Sequence, residues 1–360
     1  MKLMKNVSKI ITATMALLLV AVTLFVQAQD KKLPNVVILA TGGTIAGAGT
    51  SATGSAYTSG QVKIEAMIDA VPNIRDLANL KGEQISNVGS QDMSVKIWLD
   101  LANRINELLA AKDCDGIVIT HGTDTQEETA YFLNLVVKSD KPVVLTGSMR
   151  PSTALSAEGP LNLYNAVAVA ADPDSKGYGV MVVMNDEIHS AHNVKKMMTT
   201  PVQTFQSPEE GAIGSVIFGD VIFFHKPNGL NTVNSEFTVS GVKSLPRVDI
   251  FYGCADASAD LIDFMVKAGA KGIVIAGVGD GNMNSPVLEA IKNATNKGVA
   301  VVRASRVPVG SVLIQGEIND KEYGTVSACD LNPQKARVLL MLALLKDRSR
   351  DDLQKLFIEY

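Results

Sequence analysis

Two glycine-bounded turns carry threonine side chains that could act as nucleophiles. The first is Thr41-Gly-Gly-Thr-Ile-Ala-Gly47, and the second is Thr120-His-Gly-Thr-Asp-Thr-Gln-Glu-Glu128. Both follow short apolar runs that are typical of buried strands. Glycine lets the backbone approach a ligand closely, so the hydroxyls of Thr44 and Thr123 are well placed for chemistry. A third polar cluster, Gly89-Ser-Gln-Asp-Met93, belongs with them.

A threonine hydroxyl is a weak nucleophile until a base or a charge activates it. Asp124 is next to Thr123, and Lys196, Tyr57 and Glu317 are further candidate activators. A hydroxyl, a lysine, a carboxylate and backbone N–H groups together suit acyl transfer. Spacing alone does not bring these groups together.

Structural explanations exist for the same motifs. Gly42 to Gly47 has the glycine spacing of a phosphate loop, but Ala48 and Gly49 stand where Lys and Ser/Thr are needed. The turn also lacks the spacing of a dinucleotide fingerprint. Thr125 and Glu128 match a capping box, so Thr123 to Thr125 could simply start a helix.

Histidines and the single tryptophan give weaker signals. His189 and His192 are spaced like metal ligands, but no third ligand is indicated, which argues against a metal site. His121 follows a predicted strand and is most simply a packing residue. Trp98 lies on the apolar face of a predicted helix and is most simply part of the core.

The elements that must position these residues alternate between strands and helices. Apolar residues recur at helical spacing from Val95 to Leu109. Short runs of consecutive apolar residues, rich in Val and Ile, predict buried parallel strands between such helices. The fold class is therefore α/β, with an open, mainly parallel sheet. The predicted strands are Asn35–Thr41, Gly116–His121, Pro142–Thr146, Gly179–Met184, Val248–Tyr252, Gly272–Ala276 and Val299–Arg303.

Segment composition predicts the domain organisation. Residues 226–246 are polar and turn-rich and indicate a linker. We therefore predict an N-terminal α/β domain over 29–225, which carries the main motifs, and a smaller C-terminal α/β domain over 247–360.

Residues 1–28 have the features of a cleaved secretory signal peptide. Lysines at positions 2, 5 and 9 precede the apolar run Met15–Val26, and Val26 and Ala28 stand at the positions where signal peptidase requires small residues. The run is shorter than the roughly 20 residues that a spanning helix needs. We predict an exported chain that starts at Gln29 and is not held in the membrane.

Composition excludes several classes of protein. The 360 residues have a formal net charge of -4, so there is no basic surplus to bind nucleic acid. The three cysteines, Cys114, Cys254 and Cys329, are too few for a disulfide-stapled scaffold or a cysteine-rich zinc module.

The two threonine motifs together closely resemble the signature motifs of bacterial L-asparaginases. The resemblance covers essentially all of the chain after the signal peptide, which itself points to the exported, periplasmic (type II) branch. Further similar stretches are Met149-Arg-Pro-Ser152, Pro160-Leu-Asn-Leu-Tyr-Asn165, Ala276-Gly-Val-Gly-Asp-Gly-Asn282 and Leu331-Asn-Pro-Gln-Lys-Ala-Arg-Val338.

The resemblance implies roles for individual residues. Thr44 would attack the side-chain amide and form an acyl-enzyme, with Tyr57 as its hydrogen-bond partner. Thr123, Lys196 and Asp124 would form a second triad. The remaining substrate contacts would come from Ser90 and Gln91 for the α-carboxylate, Asp124 for the α-amino group, Ser148 for the amide, and Asn282 and Glu317 of a neighbouring subunit.

The resemblance also implies the reaction and the assembly. We expect hydrolysis of L-asparagine to L-aspartate and ammonia by a homotetramer of tight dimers, without a metal or cofactor. Comparable activity on L-glutamine is the alternative, because one methylene gives only about 1–3 kcal/mol of discrimination. A non-catalytic protein that binds a small amino acid is a third possibility. A cysteine pair of some relatives has no counterpart here, since Ala111 and Ser139 stand near those places.

Overall fold

The computed structural model describes residues 32–53 and 57–360, so the predicted signal peptide at 1–28 lies outside the described residues. The strands are β1 (Asn35–Gly42), β2 (Ala48–Gly49), β3 (Tyr57–Thr58), β4 (Asn79–Val88), β5 (Gly116–Thr120), β6 (Val143–Thr146), β7 (Val180–Met184), β8 (Glu187–Ser190), β9 (Lys195–Lys196), β10 (Phe205–Gln206), β11 (Gly214–Ile217), β12 (Asp220–Phe223), β13 (Val248–Tyr252), β14 (Gly272–Gly277), β15 (Ala300–Ser305) and β16 (Thr325–Ser327). The helices are α1 (Ile64–Asp69), α2 (Ile74–Leu77), α3 (Val95–Ala110), α4 (Gln126–Val136), α5 (Gly159–Ala171), α6 (Asp260–Lys267), α7 (Ser285–Asn296), α8 (Asp320–Tyr323), α9 (Pro333–Ala343) and α10 (Arg350–Glu359). Short 3-10 turns lie at Thr44–Ala46, Ser90–Asp92, Pro173–Ser175 and Thr232–Asn234.

The larger sheet is mainly parallel. Within the described residues it has eight strands in the order β12-β11-β8-β7-β6-β5-β1-β4. Strands β4, β1, β5, β6 and β7 pair in parallel, while β8, β11 and β12 extend the sheet by antiparallel pairs. In the sheet, β4 lies on one side of β1 and β5 lies on the other, so the strand order reverses at β1. Open α/β sheets bind ligands beside such a reversal of strand order.

The smaller sheet lies in the C-terminal part of the chain and pairs β13-β14-β15-β16 in parallel. Its central strands β14 and β15 are mostly buried, as expected for strands covered on both faces. The predicted fold class is therefore confirmed. All seven runs predicted as strands form strands, and the predicted helix at Val95–Leu109 forms α3.

The core lies in layers on the faces of the two sheets. Helix α4 packs against α9, and Leu135 and Leu339 of these helices are fully buried in one hydrophobic cluster. Trp98 belongs to the same cluster and stacks on Phe132, as a core tryptophan should. Because α4 follows the second threonine motif directly, this packing fixes the motif relative to the C-terminal sheet.

The turn-rich segment 226–246 has a single short 3-10 turn and no strand or longer helix among its residues. It is nevertheless well packed. Phe237 and Val239 are buried, and the Lys138 ammonium donates to the carbonyl oxygens of Thr232 and Ser235 at 3.4 and 2.5 Å. Side-chain contacts therefore hold its irregular backbone in place, rather than the backbone hydrogen bonds of a β-sheet.

The helices were also compared with the length that a bilayer requires. None of those in the described part of the chain is both long and apolar enough to cross a membrane.

Candidate active site

The two threonine motifs meet because their strands are neighbours. Strand β1 pairs with β5 up to Ala40 and Thr120, and the Thr41 hydroxyl donates to the Thr120 carbonyl at 2.9 Å. Gly43 then has a φ of 80°, and a Cβ added there would lie 2.4 Å from the Gly122 nitrogen. The first turn can therefore contact the second only with glycine at this position.

The third polar cluster is tied to the second motif by Ser90. Its hydroxyl oxygen accepts a hydrogen bond from the Asp124 N–H at 3.0 Å, and its carbonyl accepts one from the Thr125 hydroxyl at 2.8 Å. Helix α4 does begin after Thr125, but Thr125 makes no side-chain capping bond. The capping box expected with Glu128 is therefore wrong, and the Thr125 side chain instead donates to Ser90.

Lys196 brings a positive charge to the second motif. Its ammonium donates to the Thr123 hydroxyl at 3.0 Å and to Asp124 Oδ1 at 2.6 Å. The lysine side chain is 15% exposed, whereas the Asp124 side chain is 61% exposed. The lysine is thus largely withdrawn from water, while the carboxylate faces the solvent.

These groups open into one cavity of about 610 Å³. Thr44, Thr123, Asp124 and Lys196 line it together with Arg150 and other residues. Four of the predicted catalytic residues therefore share a cavity that is large enough for a small amino acid.

Two polar groups of the second and third motifs keep free capacity for hydrogen bonding. Asp124 Oδ2 has no donor among the described residues, because Lys196 reaches only Oδ1. Ser90 Oγ accepts from the Asp124 N–H, and its hydroxyl donates no hydrogen bond in the described part of the chain. One anionic and one donor group thus remain for a ligand.

The other predicted substrate-binding residues are placed differently. Gln91 is exposed and its amide lies 3.3 Å from Asp92 Oδ2. Ser148 is buried and its hydroxyl donates to the Arg150 carbonyl at 2.7 Å. Tyr57 begins β3, which pairs with β2 in the segment after the first motif, and its side chain lies outside the described structure.

Asn282 and Glu317 lie elsewhere in the chain. The Asn282 amide donates to the Glu317 carboxylate, and both residues line a separate cavity of about 730 Å³. The structure of one chain therefore does not bring them to the cavity that holds Thr44.

His121 belongs to a buried network below the second motif. The Trp98 N–H donates to the Thr129 hydroxyl at 2.8 Å, and that hydroxyl lies 2.9 Å from His121 Nε2. His121 Nδ1 lies 2.7 Å from the Gly122 carbonyl oxygen, which can only accept. Burial lowers the pKa of His121 to about 4, against the opposing effect of this carbonyl. A neutral ring that donates from Nδ1 therefore holds the turn before Thr123.

The spaced histidines His189 and His192 serve other contacts. His189 Nδ1 lies 3.0 Å from the Ser207 hydroxyl, and His192 Nε2 lies 2.7 Å from Asp330 Oδ2. Within the described residues no group of three or more His, Cys, Asp or Glu side chains could hold a metal ion. Cys114, Cys254 and Cys329 all lie in this part of the chain and are free.

Sequence reasoning missed the contribution of Glu127. This buried carboxylate accepts a hydrogen bond from the Lys196 backbone N–H at 2.6 Å. The signal available in the sequence was the pair of successive acids, Glu127 and Glu128, at the start of an otherwise apolar helix.

Two family profiles match this chain and together span most of it. The profile described as "Asparaginase, N-terminal" matches residues 35–229, and "Glutaminase/Asparaginase C-terminal domain" matches residues 247–357. This chain belongs to the asparaginase family. The threonine turns, the third polar cluster and Lys196 all lie within the first match, and α9 lies within the second.

Curated members of the asparaginase family are similar over almost their whole length. The chain is 51% identical to "L-asparaginase 2" of Escherichia coli strain K12, over 91% of this chain and 94% of that protein. It is 51% identical to "Probable L-asparaginase periplasmic" of Haemophilus influenzae, over 92% and 95%. It is 50% identical to "Glutaminase-asparaginase" of Pseudomonas fluorescens biotype A, over 91% of each.

A solved structure has the same fold. It is titled "Crystal Structure of Probable Cytoplasmic L-asparaginase from Campylobacter jejuni" and superposes with a TM-score of 0.88 at 48% identity. The match covers 91% of this chain and all of that one.

Proposed function

We propose that this asparaginase-family protein hydrolyses the side-chain amide of L-asparagine to L-aspartate and ammonia. The observation that carries the proposal is the contact of the Lys196 ammonium with Thr123 and Asp124, in the cavity that Thr44 also lines. It joins a threonine hydroxyl, a lysine and a carboxylate, which is the set of groups that acyl transfer requires.

In the proposed reaction Thr44 Oγ attacks the amide carbon of the substrate. The proton of the Thr44 hydroxyl passes to the leaving nitrogen, the C–N bond breaks, and ammonia departs from an acyl-enzyme ester. Water then attacks the ester and restores the Thr44 hydroxyl. Thr123 and Lys196 carry protons in these steps, and backbone N–H groups of the glycine turns stabilise the developing oxyanion. No metal or cofactor is needed.

Substrate recognition follows from the charges of the substrate. L-Asparagine is a zwitterion, so its ammonium needs an anionic partner and its carboxylate needs donors. Asp124 Oδ2 and the Ser90 hydroxyl are the groups with free capacity, and we assign them to these two ends. Gln91 adds a donor for the carboxylate, and Ser148 contacts the amide through its backbone. Tyr57 is the hydrogen-bond partner that we assign to Thr44.

L-Glutamine is the second candidate substrate. It has the same zwitterionic head and one more methylene, which changes the transition-state free energy by only about 1–3 kcal/mol. Relatives named glutaminase-asparaginase are 45–50% identical to this chain, which keeps the second substrate open.

We also propose that the working enzyme is a homotetramer of tight dimers in which Asn282 and Glu317 complete the site of a neighbour. Exposed Val307, Val309 and Leu313 line the cavity beside Glu317. Apolar residues that cluster on a surface favour a protein contact there.

We propose a periplasmic location. The leader at 1–28 supports export, and one similar relative is named periplasmic. Another, of known structure, is named cytoplasmic. The mass of the protein recovered from a native-like host should correspond to a chain that starts at Gln29.

The function is tested by measuring ammonia release from L-asparagine and L-glutamine side by side. We expect turnover of L-asparagine with a higher kcat/KM than for L-glutamine. Tight binding of either amino acid without ammonia release would instead identify a binding protein and refute the proposal.

A further inference from the structure

Lys196 lies on a very short strand. Strand β9 consists of Lys195 and Lys196, and it pairs only with the two residues of β10 within the described chain. A two-residue ladder fixes only a short stretch of backbone. Additional contacts of the Lys196 main chain therefore help to hold its ammonium 3.0 Å from the Thr123 hydroxyl.

The carboxylate of Glu127 supplies the most direct contact. Its Oε2 accepts the Lys196 backbone N–H at 2.6 Å. Its Oε1 accepts the side-chain amides of Asn332 and Gln334 at 2.8 and 2.7 Å. The residue is 4% exposed, so water cannot replace any of these three donors.

The position of Glu127 in the chain links these hydrogen bonds to the proposed catalytic residues. It stands three residues after Asp124, in the first turn of α4. One side chain therefore connects the main chain of Lys196 to the helix that begins two residues after Asp124. It also connects both to the first turn of α9, where Asn332 is the N-cap.

Lys335 of the same turn anchors the approach to β9. Its fully buried ammonium donates to the carbonyl oxygens of His192 and Val194 at 2.6 and 2.5 Å. Burial lowers the pKa of Lys335 to about 8, and the negative charge of Glu127 opposes this shift. The start of α9 thus holds the segment before Lys196 as well as Lys196 itself.

We propose that Glu127 is the positioning residue for Lys196. It acts by fixing the strand that carries the lysine against the turn that carries Thr123, and it touches neither substrate nor the reacting atoms. The inference rests on the proposed role of Lys196 in catalysis.

Glu127→Gln is the sharpest variant because it keeps the shape of the side chain. A carboxylate offers acceptors on both oxygens, whereas an amide presents an NH₂ on one side. Asn332 cannot simply turn its amide over, because its Oδ1 caps α9 through the Lys335 N–H at 3.0 Å. In the variant the new NH₂ group faces another donor, either the Asn332 side-chain amide or the Lys196 backbone N–H. Strand β9 must then move to relieve this unfavourable contact.

The test measures kcat for ammonia release and the melting temperature in Glu127→Gln, Lys196→Ala and the double variant. We expect Glu127→Gln alone to lower kcat at least about tenfold, because small displacements of a catalytic group have large effects. In the Lys196→Ala background the same change should alter kcat by less than about twofold, because the two residues act through one interaction.

Glu210→Gln is the matched control. Glu210 also accepts two side-chain amides, from Asn193 at 2.6 Å and Asn228 at 2.7 Å, but no hydrogen bond joins it to Lys196. We expect it to lower the melting temperature and to leave kcat unchanged.

The exchange variant E127Q/N332D, which restores an acceptor opposite the new amide and keeps an N-cap, should recover most of kcat.

Each other outcome has a defined meaning. A normal kcat in Glu127→Gln, or equal losses with and without Lys196, would overturn the inference. A normal kcat in Lys196→Ala would instead refute the proposed role of the lysine. If Glu127→Gln does not fold, Gln334→Met takes its place, because it removes one donor to the same carboxylate. It is measured alone and combined with Lys196→Ala, and losses of kcat that simply add would overturn the inference.

Discussion

In the proposed mechanism Thr123 depends on a neighbouring side chain for its reactivity. The Lys196 ammonium lies 3.0 Å from its hydroxyl and is shared with Asp124. The sequence nominates Thr44, Thr123 and Asp124, because they lie in glycine turns after predicted strands. It cannot nominate Lys196 in the same way, since that residue is 73 positions from Thr123 on a two-residue strand. Its residue type makes it one of several candidate activators, and the resemblance to a family supplied its pairing with Thr123 and Asp124.

Glu128 gives a prediction about the pH dependence of stability. Burial and the negative charge of Glu127 raise the pKa of its carboxyl to about 7, against the opposing charge of Arg337. The folded state therefore favours the protonated form, and stability is lost as pH rises from 4.5 to 7. Glu128→Gln should be more stable than wild type at pH 8, by on the order of 3 kcal/mol, and equal to it at pH 4.

Denaturant unfolding at the two pH values checks this prediction. Glu289→Gln, at an exposed position of α7, is the control and should show no such difference between pH 4 and pH 8. Equal stabilities of Glu128→Gln and wild type at pH 8 would contradict the account of a buried carboxyl.

At the scale of elements, the site depends on how closely two turns approach. Gly43 and Gly122 let the loops after β1 and β5 touch, and a Cβ on Gly122 would lie 2.7 Å from Ser90 Oγ. Glycine-bounded turns that follow predicted strands can be recognised in the sequence. The contact between the two turns cannot be predicted in that way, because it depends on β1 and β5 being adjacent.

Gly43→Ala tests this contact. We expect it to destabilise the protein and to lower kcat at least about tenfold, because the added methyl would push the two motifs apart. Gly211→Ala is the control, since Gly211 has a similar φ of 79° with nothing within 4 Å of an added Cβ. It should cost about 1–2 kcal/mol of stability from backbone strain alone and leave kcat unchanged. Equal effects of both substitutions on kcat would refute the close-packing argument.

Strand β4 shows what local patterns miss. Its sequence, Asn79–Val88, is mostly polar and its residues are partly exposed, because it forms an edge of the large sheet. The predicted strands other than β13 are mostly buried and therefore have continuous apolar runs. An edge strand lacks this signal, and its pairing with β1 is visible only in three dimensions.

The whole molecule joins two sheets through α4 and α9, and Glu127 lies where these helices meet the active-site loops. The sequence predicted both sheets, because each has its own set of apolar strands. It did not predict that the C-terminal part would help to place Lys196. That coupling depends on side-chain amides from α9, which have no local signature.

The shared active site is a prediction at the same scale. Thr44→Ala and Glu317→Ala are each expected to be strongly impaired, and they should be unfolded and refolded together. If Glu317 serves a neighbour, one site of each mixed pair is intact, and roughly a quarter of wild-type activity should return with unbiased symmetric assembly. Ammonia release in the mixture is the measurement.

The matched control is a mixture of Thr44→Ala with Thr123→Ala. Both threonines line the cavity of a single chain, so every mixed site carries a defect and no activity should return. Activity of the first mixture no higher than the mean of its parents, with subunit exchange verified by mass, would show that Glu317 does not act across chains.

The most direct test of the central claim is the kcat for ammonia release from L-asparagine by Thr44→Ala beside wild type. Loss of the nucleophile should lower kcat at least about 10³-fold, with an unchanged melting temperature. Thr199→Ala is the control, because Thr199 lines the same cavity and should leave kcat near the wild-type value. A Thr44→Ala variant that retains near-normal kcat would contradict the assignment of Thr44 as the nucleophile.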